Sequence, residues 1–156
     1  LDDEIIINVQ GDEPLIDPKL IKLLAKALQN KNVDYVTACS DFESFNEYLK
    51  VSNVKVLYDK NEFATTFYRD PLVMKEEDWN QKRQFHHIGI YGYTKKLLDN
   101  FCSLPVSKLE NSLKLEQLRA LENNIPLTVL NFEGKVFRGI DTPEDLALIR
   151  IYLENK

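Results

Sequence analysis

The sequence predicts an α/β fold with a mainly parallel sheet, flanked by helices and carrying a strand pair inserted in its middle. Short apolar segments rich in β-branched residues alternate with helical patterns along the chain, the order that builds such a sheet. The first of them, Ile5-Ile6-Ile7-Asn8-Val9, is apolar at both phases of a two-residue period, as strands buried on both faces are. In the middle, Val54 to Tyr58 and Phe63 to Tyr68 alternate across the turn Asp59-Lys60-Asn61, which reads as two strands joined tightly.

The remaining elements follow in order. Gln10-Gly11-Asp12-Glu13-Pro14 is a turn-rich loop, and Asp17-Pro18 starts a helix with Asp as N-cap and Pro at its first position. Leu20, Leu23, Leu24, Ala27 and Leu28 give that helix an apolar stripe. Val33 to Ser40 reads as the second strand and Phe42 to Leu49 as a short helix. Arg69 to Gln84 is polar, with charge clusters around Trp79, and reads as a mobile loop or excursion. His87 to Tyr93 returns as a strand, followed by a helix from Lys95 to about Phe101. Ser107 to Asn123 reads as one helix, stopped by Asn123-Asn124 and Pro126, and Leu127 to Phe132 as another strand. The last helix opens at Thr142-Pro143-Glu144-Asp145, with Thr142 as N-cap and Asp145 approximating a capping box.

At 156 residues the chain fits one domain, 1–156, and 44% hydrophobic with 29% charged residues is ordinary globular usage. The net charge of -5, with Lys and Arg scattered, excludes the basic footprint of a nucleic-acid binder. An acidic protein that handles anions must gather positive charge, or a metal ion, inside a site. Cys39 and Cys102 lie far apart in apolar sequence and read as reduced, buried thiols of a cytoplasmic protein. No apolar run approaches the ~18 residues of a membrane span, and no signal-peptide pattern is visible. Residue 1 is Leu and the first strand begins almost at once, so the expectation is that an N-terminal portion precedes these residues in the native protein.

Several residues could carry chemistry. Asp12 follows the first strand in a loop where open α/β sheets bind ligands, and Asp17 already caps the next helix; a solvated turn aspartate is the other reading. Asp141 precedes an N-cap that Thr142 supplies, so it serves either the helix dipole or a ligand. Two aspartates on two loops can together hold Mg²⁺, which takes a couple of carboxylates plus substrate oxygens and water. On a continuous helix from Ser107, Leu109, Leu113, Glu116 and Ala120 share a face, and Glu116 there is either paired with Arg119 or a ligand contact. His86 and His87 are adjacent on a strand and point to opposite faces, which excludes joint metal chelation. Arg69, at the end of a strand, is either a carboxylate clamp or a surface arginine. No P-loop, G-x-S-x-G, G-x-G-x-x-G or zinc spacing occurs.

Four stretches together resemble the 3-deoxy-D-manno-octulosonate (Kdo) cytidylyltransferases, or CMP-Kdo synthetases. They are Asn8-Val9-Gln10-Gly11-Asp12-Glu13-Pro14, His87-Ile88-Gly89-Ile90-Tyr91-Gly92-Tyr93, Leu115-Glu116-Gln117-Leu118-Arg119 and Gly139-Ile140-Asp141-Thr142-Pro143-Glu144-Asp145. Their order and separations match that family over essentially the whole chain. The resemblance implies a mixed-sheet, Rossmann-like fold of the nucleotide-diphospho-sugar transferase type. It implies an enzyme that transfers CMP from CTP to Kdo with release of pyrophosphate, in the cytoplasm, for lipopolysaccharide synthesis, working as a homodimer. It further implies Asp12 and Asp141 as Mg²⁺ ligands, and Arg69, His87, Tyr91, Glu116 and Gln117 as the sugar pocket, with Gln10 close by. The family's N-terminal element, whose Arg- and Lys-containing loop grips the triphosphate, has no counterpart here, so these residues alone are expected to form no CMP-Kdo. Two rival readings are a cytidylyltransferase for another acidic sugar, such as a sialic acid, and a non-catalytic fragment that dimerises or binds ligand.

Overall fold

The computed structural model describes residues 4–72, 74–79, 83–136, 139–140 and 143–155. Among the described residues six strands and six α-helices follow one another: β1 (Ile5–Asn8), α1 (Pro18–Leu28), β2 (Tyr35–Ser40), α2 (Phe45–Leu49), β3 (Lys55–Tyr58), β4 (Ala64–Tyr68), β5 (Phe85–Thr94), α3 (Lys95–Ser103), α4 (Lys108–Leu113), α5 (Leu118–Glu122), β6 (Thr128–Asn131) and α6 (Pro143–Glu154). No helix among the described residues is long and apolar enough to cross a membrane.

β5 is the spine of the sheet. One of its edges pairs with β2; the other pairs with β3 at Phe85 and His86, and with β1 from Tyr91 to Thr94. On that edge His87 N still donates to the Val54 carbonyl at 2.8 Å, and the stretch from Ile88 to Ile90 lies between the two partners. β6 joins β2 in parallel, and β3 and β4 form the expected antiparallel pair.

The sheet is mixed and flanked by helices, as expected, but one share of the expectation needs correction. Since β5 is antiparallel to β1, β2 and β3, while β6 is parallel to β2, four of the six strands share one direction; β4 and β5 oppose them. Strand directions are thus mainly parallel, yet β2–β6 is the one parallel ladder among the described strands, because β5 is wedged between the others. β1 differs for the same reason. It pairs antiparallel with β5 and Ile5 is 38% exposed, so its apolar run marks a strand without marking burial on both faces.

Each face of the sheet has its own core. On one, Leu20, Leu24 and Leu28 of α1 pack on Val36, Ala38, Ile88 and Ile90. Burying each such leucine contributes roughly 2 kcal/mol of transfer free energy. Gly92 permits this contact: a Cβ there would stand 2.8 Å from both Leu28 Cδ1 and Val36 Cγ1. The other face packs Tyr35, Tyr91, Tyr93, Phe67 and Val129 under Phe101, Leu115 and Leu118.

Local chemistry sets the boundaries. Asp17 caps α1, accepting from Lys19 N at 2.8 Å, as predicted. Ser44 rather than Phe42 begins α2, because its hydroxyl accepts from Glu47 N. The segment after β4 is more than an excursion: Glu76–Asp78 forms a 3₁₀ turn, and Trp79 packs on Phe45 and Tyr48 at 5.6 and 6.0 Å between ring centroids. Cys39 is buried, with its thiol pushed up to about 12 by burial, but Cys102 is exposed. The Thr142 cap lies outside the described residues.

The expected single helix from Ser107 to Asn123 is two. Ser107 and Glu110 form a full capping box at the start of α4, and Lys114 ends it in the left-handed conformation at φ 55°, donating its N–H to the Glu110 carbonyl. The break has a local reason. On one straight helix Glu110 and Arg119 would sit about 13.5 Å apart along the axis, on opposite sides. After the break, Arg119 Nε and Nη2 reach the Glu110 carboxylate at 2.7 and 2.5 Å. The shared face expected for Glu116 does not exist: Leu109 and Leu113 are exposed, while Leu115 and Leu118 are buried.

Candidate functional site

His87 anchors the site. Its ring is 6% exposed, edge-on to Phe67, and its Nε2 lies 2.9 Å from Thr37 Oγ1. That hydroxyl also donates to the Ile90 carbonyl at 2.8 Å, where the β2–β5 register shifts. With its one proton so used, Thr37 accepts from His87 Nε2–H, leaving Nδ1 as an acceptor. Burial first, then the charges of His86 and Arg69, push the imidazole down to about 3. His86 points the other way, against Phe42, as strand alternation predicts.

A testable consequence follows. In the unfolded chain the imidazole takes a proton near pH 6.5, whereas in the folded state it refuses one until about pH 3. Between those values the unfolded state binds more protons, so stability falls as pH falls. This group should cost the protein about 2 kcal/mol between pH 7 and 5. His87→Gln should lack that share of the slope in urea unfolding; an identical slope in both proteins would refute a buried neutral base.

Arg69 follows β4, two residues past Phe67, whose ring packs edge-on to His87. The guanidinium is half-buried, and its bond among the described residues is a long one, Nη1 to the Ser52 carbonyl at 3.4 Å. No ion pair among the described residues includes it. Tyr91, 4% exposed, stands 5.6 Å from the His87 ring between centroids. Burial, and next the nearby Glu116 carboxylate, hold the Tyr91 phenol well above its usual value. Glu116 is exposed at its surface, but desolvation by the protein around it raises its pKa, Glu110 adds to the rise and Arg119 opposes it. Arg119 is engaged by Glu110 rather than by Glu116, which corrects the expected pairing. Gln117 is 2% exposed, yet its side chain makes no hydrogen bond among the described residues. His87 and Tyr91 are thus in contact, the Glu116 charge bears on Tyr91 and the Arg69 charge on His87, and Gln117 follows Glu116 in the chain.

Gln10 and Asp12 lie in the turn leaving β1, whose last residue, Asn8, is opposite Tyr91. Gln10 is half-buried and Asp12 exposed. The Asp12 carbonyl accepts from Ile140 N at 2.8 Å, and a Cβ on Gly139 would stand 3.3 Å from that carbonyl. The backbone that runs into Asp141 is therefore bound to the Asp12 turn; Asp141 itself lies outside the described residues. Among the described residues no group of three or more His, Cys, Asp or Glu could hold a metal. A two-carboxylate set fits Mg²⁺, a hard cation that takes its other oxygens from substrate and water.

A cavity of about 840 Å³ is elsewhere, between α2, the end of β6 and α6, with His86 in its wall. Its described lining contains none of the seven predicted residues that the structure describes, and mixes Asp41, Glu43 and Glu47 with Lys50 and Lys135. Volume without a convergent set of groups defines no chemistry, so the site is placed around His87. Sequence reasoning missed Thr37, whose hydroxyl holds the His87 ring.

Comparison with known proteins bears on the fold and the family. The family model described as cytidylyltransferase matches residues 1–131. The 3-deoxy-manno-octulosonate cytidylyltransferase of Thermodesulfovibrio yellowstonii is 42% identical over 92% of this chain and 58% of its own length. That of Trichlorobacter lovleyi is 39% identical over 94% and 62%. A solved structure of CMP:2-keto-3-deoxy-manno-octonic acid synthetase complexed with CTP superposes with a TM-score of 0.86 at 31% identity, over 97% of this chain and 62% of that one. The chain spans about three fifths of the length of these relatives. A glucose-1-phosphate thymidylyltransferase structure, 14% identical with a TM-score of 0.61, shares the fold alone. The resemblance carried by the four sequence stretches is borne out, and with most of its length matched by that family model, the chain belongs to the cytidylyltransferase family.

Proposed function

We propose that this chain is the sugar-binding part of a 3-deoxy-D-manno-octulosonate cytidylyltransferase, which transfers CMP from CTP to Kdo for lipopolysaccharide synthesis. The observation that carries the reading is the guanidinium of Arg69, without a carboxylate partner among the described residues, beside a neutral His87. A planar fork takes the sugar carboxylate in two hydrogen bonds. Nδ1 of His87, the Tyr91 hydroxyl, the Glu116 carboxylate and the Gln117 amide supply the mixed donors and acceptors that a polyhydroxylated acid requires.

In the reaction the anomeric hydroxyl of the sugar attacks the α-phosphorus of CTP. A new P–O bond forms, the bond to the β-phosphate's bridging oxygen breaks, pyrophosphate leaves and the hydroxyl proton passes to solvent. Asp12 and Asp141 would hold Mg²⁺, which supplies charge neutralisation at the phosphates and lowers the hydroxyl's pKa. The residues around His87 bind and orient the acid, and desolvation there strengthens each polar contact. The reading includes a homodimer in the cytoplasm.

The test is pyrophosphate release by the purified full chain, meaning the whole protein of which these residues are the sugar-binding part, with CTP, Mg²⁺ and a sugar acid. Release that depends on all three, and is faster with Kdo than with a sialic acid, is the expected result. Preference for the sialic acid would instead favour an enzyme for another acidic sugar. Sugar binding without release under any condition would favour a non-catalytic fragment.

A further inference from the structure

Lys55 is 0% exposed, an unusual place for a lysine, and its ammonium is not part of an ion pair among the described residues. Its Nζ donates to two backbone carbonyls, those of Lys50 and Arg69, both at 2.7 Å, and lies 5.5 Å from the centre of the Tyr48 ring. Two neighbours in the strand pair show where this happens. Lys55 is opposite Tyr68 on β4 and His86 on β5, while Val56 and Phe67 belong to the core on the His87 face. Lys55 thus works from the reverse face of the sheet, on the residue that follows β4. A buried ammonium costs free energy unless its donors are satisfied; here two of its three donors go to carbonyls where the chain leaves regular structure.

We infer that Lys55 is a positioning residue for Arg69: it fixes the backbone that presents the guanidinium and adds a second positive charge behind it, for the carboxylate of the sugar acid. The inference rests on the site reading above. Charge matters as well as hydrogen bonding, because the two cations reinforce one another's attraction for an anion. The cost of holding them together is visible in the lysine itself: desolvation chiefly, with Arg69 adding and the Asp70 carboxylate opposing, lowers it to about 8. The groups that face it are Asp70, Arg69, Tyr68, His86 of β5, Tyr48 of α2 and Lys50 of the turn before β3. Above that pH a neutral amine keeps two donors and loses the charge, so pH separates the two contributions.

The experiment measures binding of Kdo and of CTP to the full chain by calorimetry, for wild type and Lys55→Met, from pH 7 to 9.5. Expected are Kdo binding weaker by about ten- to hundredfold in the variant, CTP binding within about twofold, and wild-type Kdo affinity that declines above about pH 8 while the variant's does not. Wild-type Kdo binding that Lys55→Met leaves unchanged overturns the role of Lys55 alone. Absence of Kdo binding by wild type overturns the site reading instead. If Lys55→Met does not fold, the wild-type pH series decides: flat Kdo affinity across it refutes the second charge, and a fall confined to Kdo supports it.

Discussion

Arg119→Ala is expected to lower the unfolding free energy by about 3 kcal/mol, the lower end of the cost of breaking a buried ion pair. The side chains of Arg119 and Glu110 are 15% and 11% exposed, so solvent screens the pair weakly. The contact is forked, and the guanidinium also lies 4.8 Å from the centre of the Phe101 ring. Removing it leaves the Glu110 carboxylate without its partner, and frees the turn at Lys114 that the pair closes. Directions of titration agree on both sides: the guanidinium's hydrogen bond holds Glu110 below its ordinary value, and the carboxylate holds Arg119 above its own. The Glu110 contribution is therefore present above pH 4.5 and is lost as pH falls through its lowered folded value. Urea unfolding at pH 7 reads the loss, and a change below about 1 kcal/mol would mean a pair no better than a surface one. The double variant Glu110→Leu, Arg119→Met should recover most of it, since apolar replacements remove the stranded charge.

This pair also shows how far the sequence speaks. The helix start at Ser107 and the stop at Asn123 are local, and both are found where the residues predict them. The break between them is a tertiary choice. Helix propensity from Lys108 to Asn123 is continuous, and what outweighs it is a pairing across nine residues plus burial of Leu115 and Leu118. The first strand behaves likewise: β-branching marks Ile5 to Asn8 as extended, but which strands flank it depends on β5, some eighty residues later. Caps, turns and the β3–β4 pair were legible because their causes lie within a few residues.

The candidate site was legible by a different route. Arg69, His87, Tyr91, Glu116 and Gln117 come from three separate segments, the end of β4, β5 and the turn between α4 and α5, and no spacing rule brings them together; motif resemblance named them. The supporting residues stayed hidden. Thr37 fixes the His87 tautomer through a hydroxyl on a wholly buried strand, where a threonine reads as ordinary β-former. Lys55 acts through backbone carbonyls, which carry no sequence signature.

Asp12→Asn is expected to reduce CMP-Kdo formation by the full chain about a thousandfold, while its thermal midpoint stays within about 1 °C of wild type. The expectation rests on a contrast. Asp12 is exposed, its side chain makes no hydrogen bond or ion pair among the described residues, and Asp17 does the capping of α1. Folding therefore gains little from the carboxylate, whereas its backbone, which an asparagine keeps, holds the Ile140 amide. Under the reading of a Mg²⁺ held by Asp12 and Asp141, the substitution removes one of two anionic ligands, and several kcal/mol of transition-state stabilisation goes with it. Kdo binding in the absence of metal should be nearly unchanged, because the pocket around His87 is built from other segments. Raising Mg²⁺ should restore part of the activity if the defect is weakened metal binding. Wild-type turnover by Asp12→Asn would return Asp12 to the solvated turn residue that its Gly-Asp setting also allows. A lowered midpoint with proportionate loss of activity would assign it to the fold rather than to the reaction.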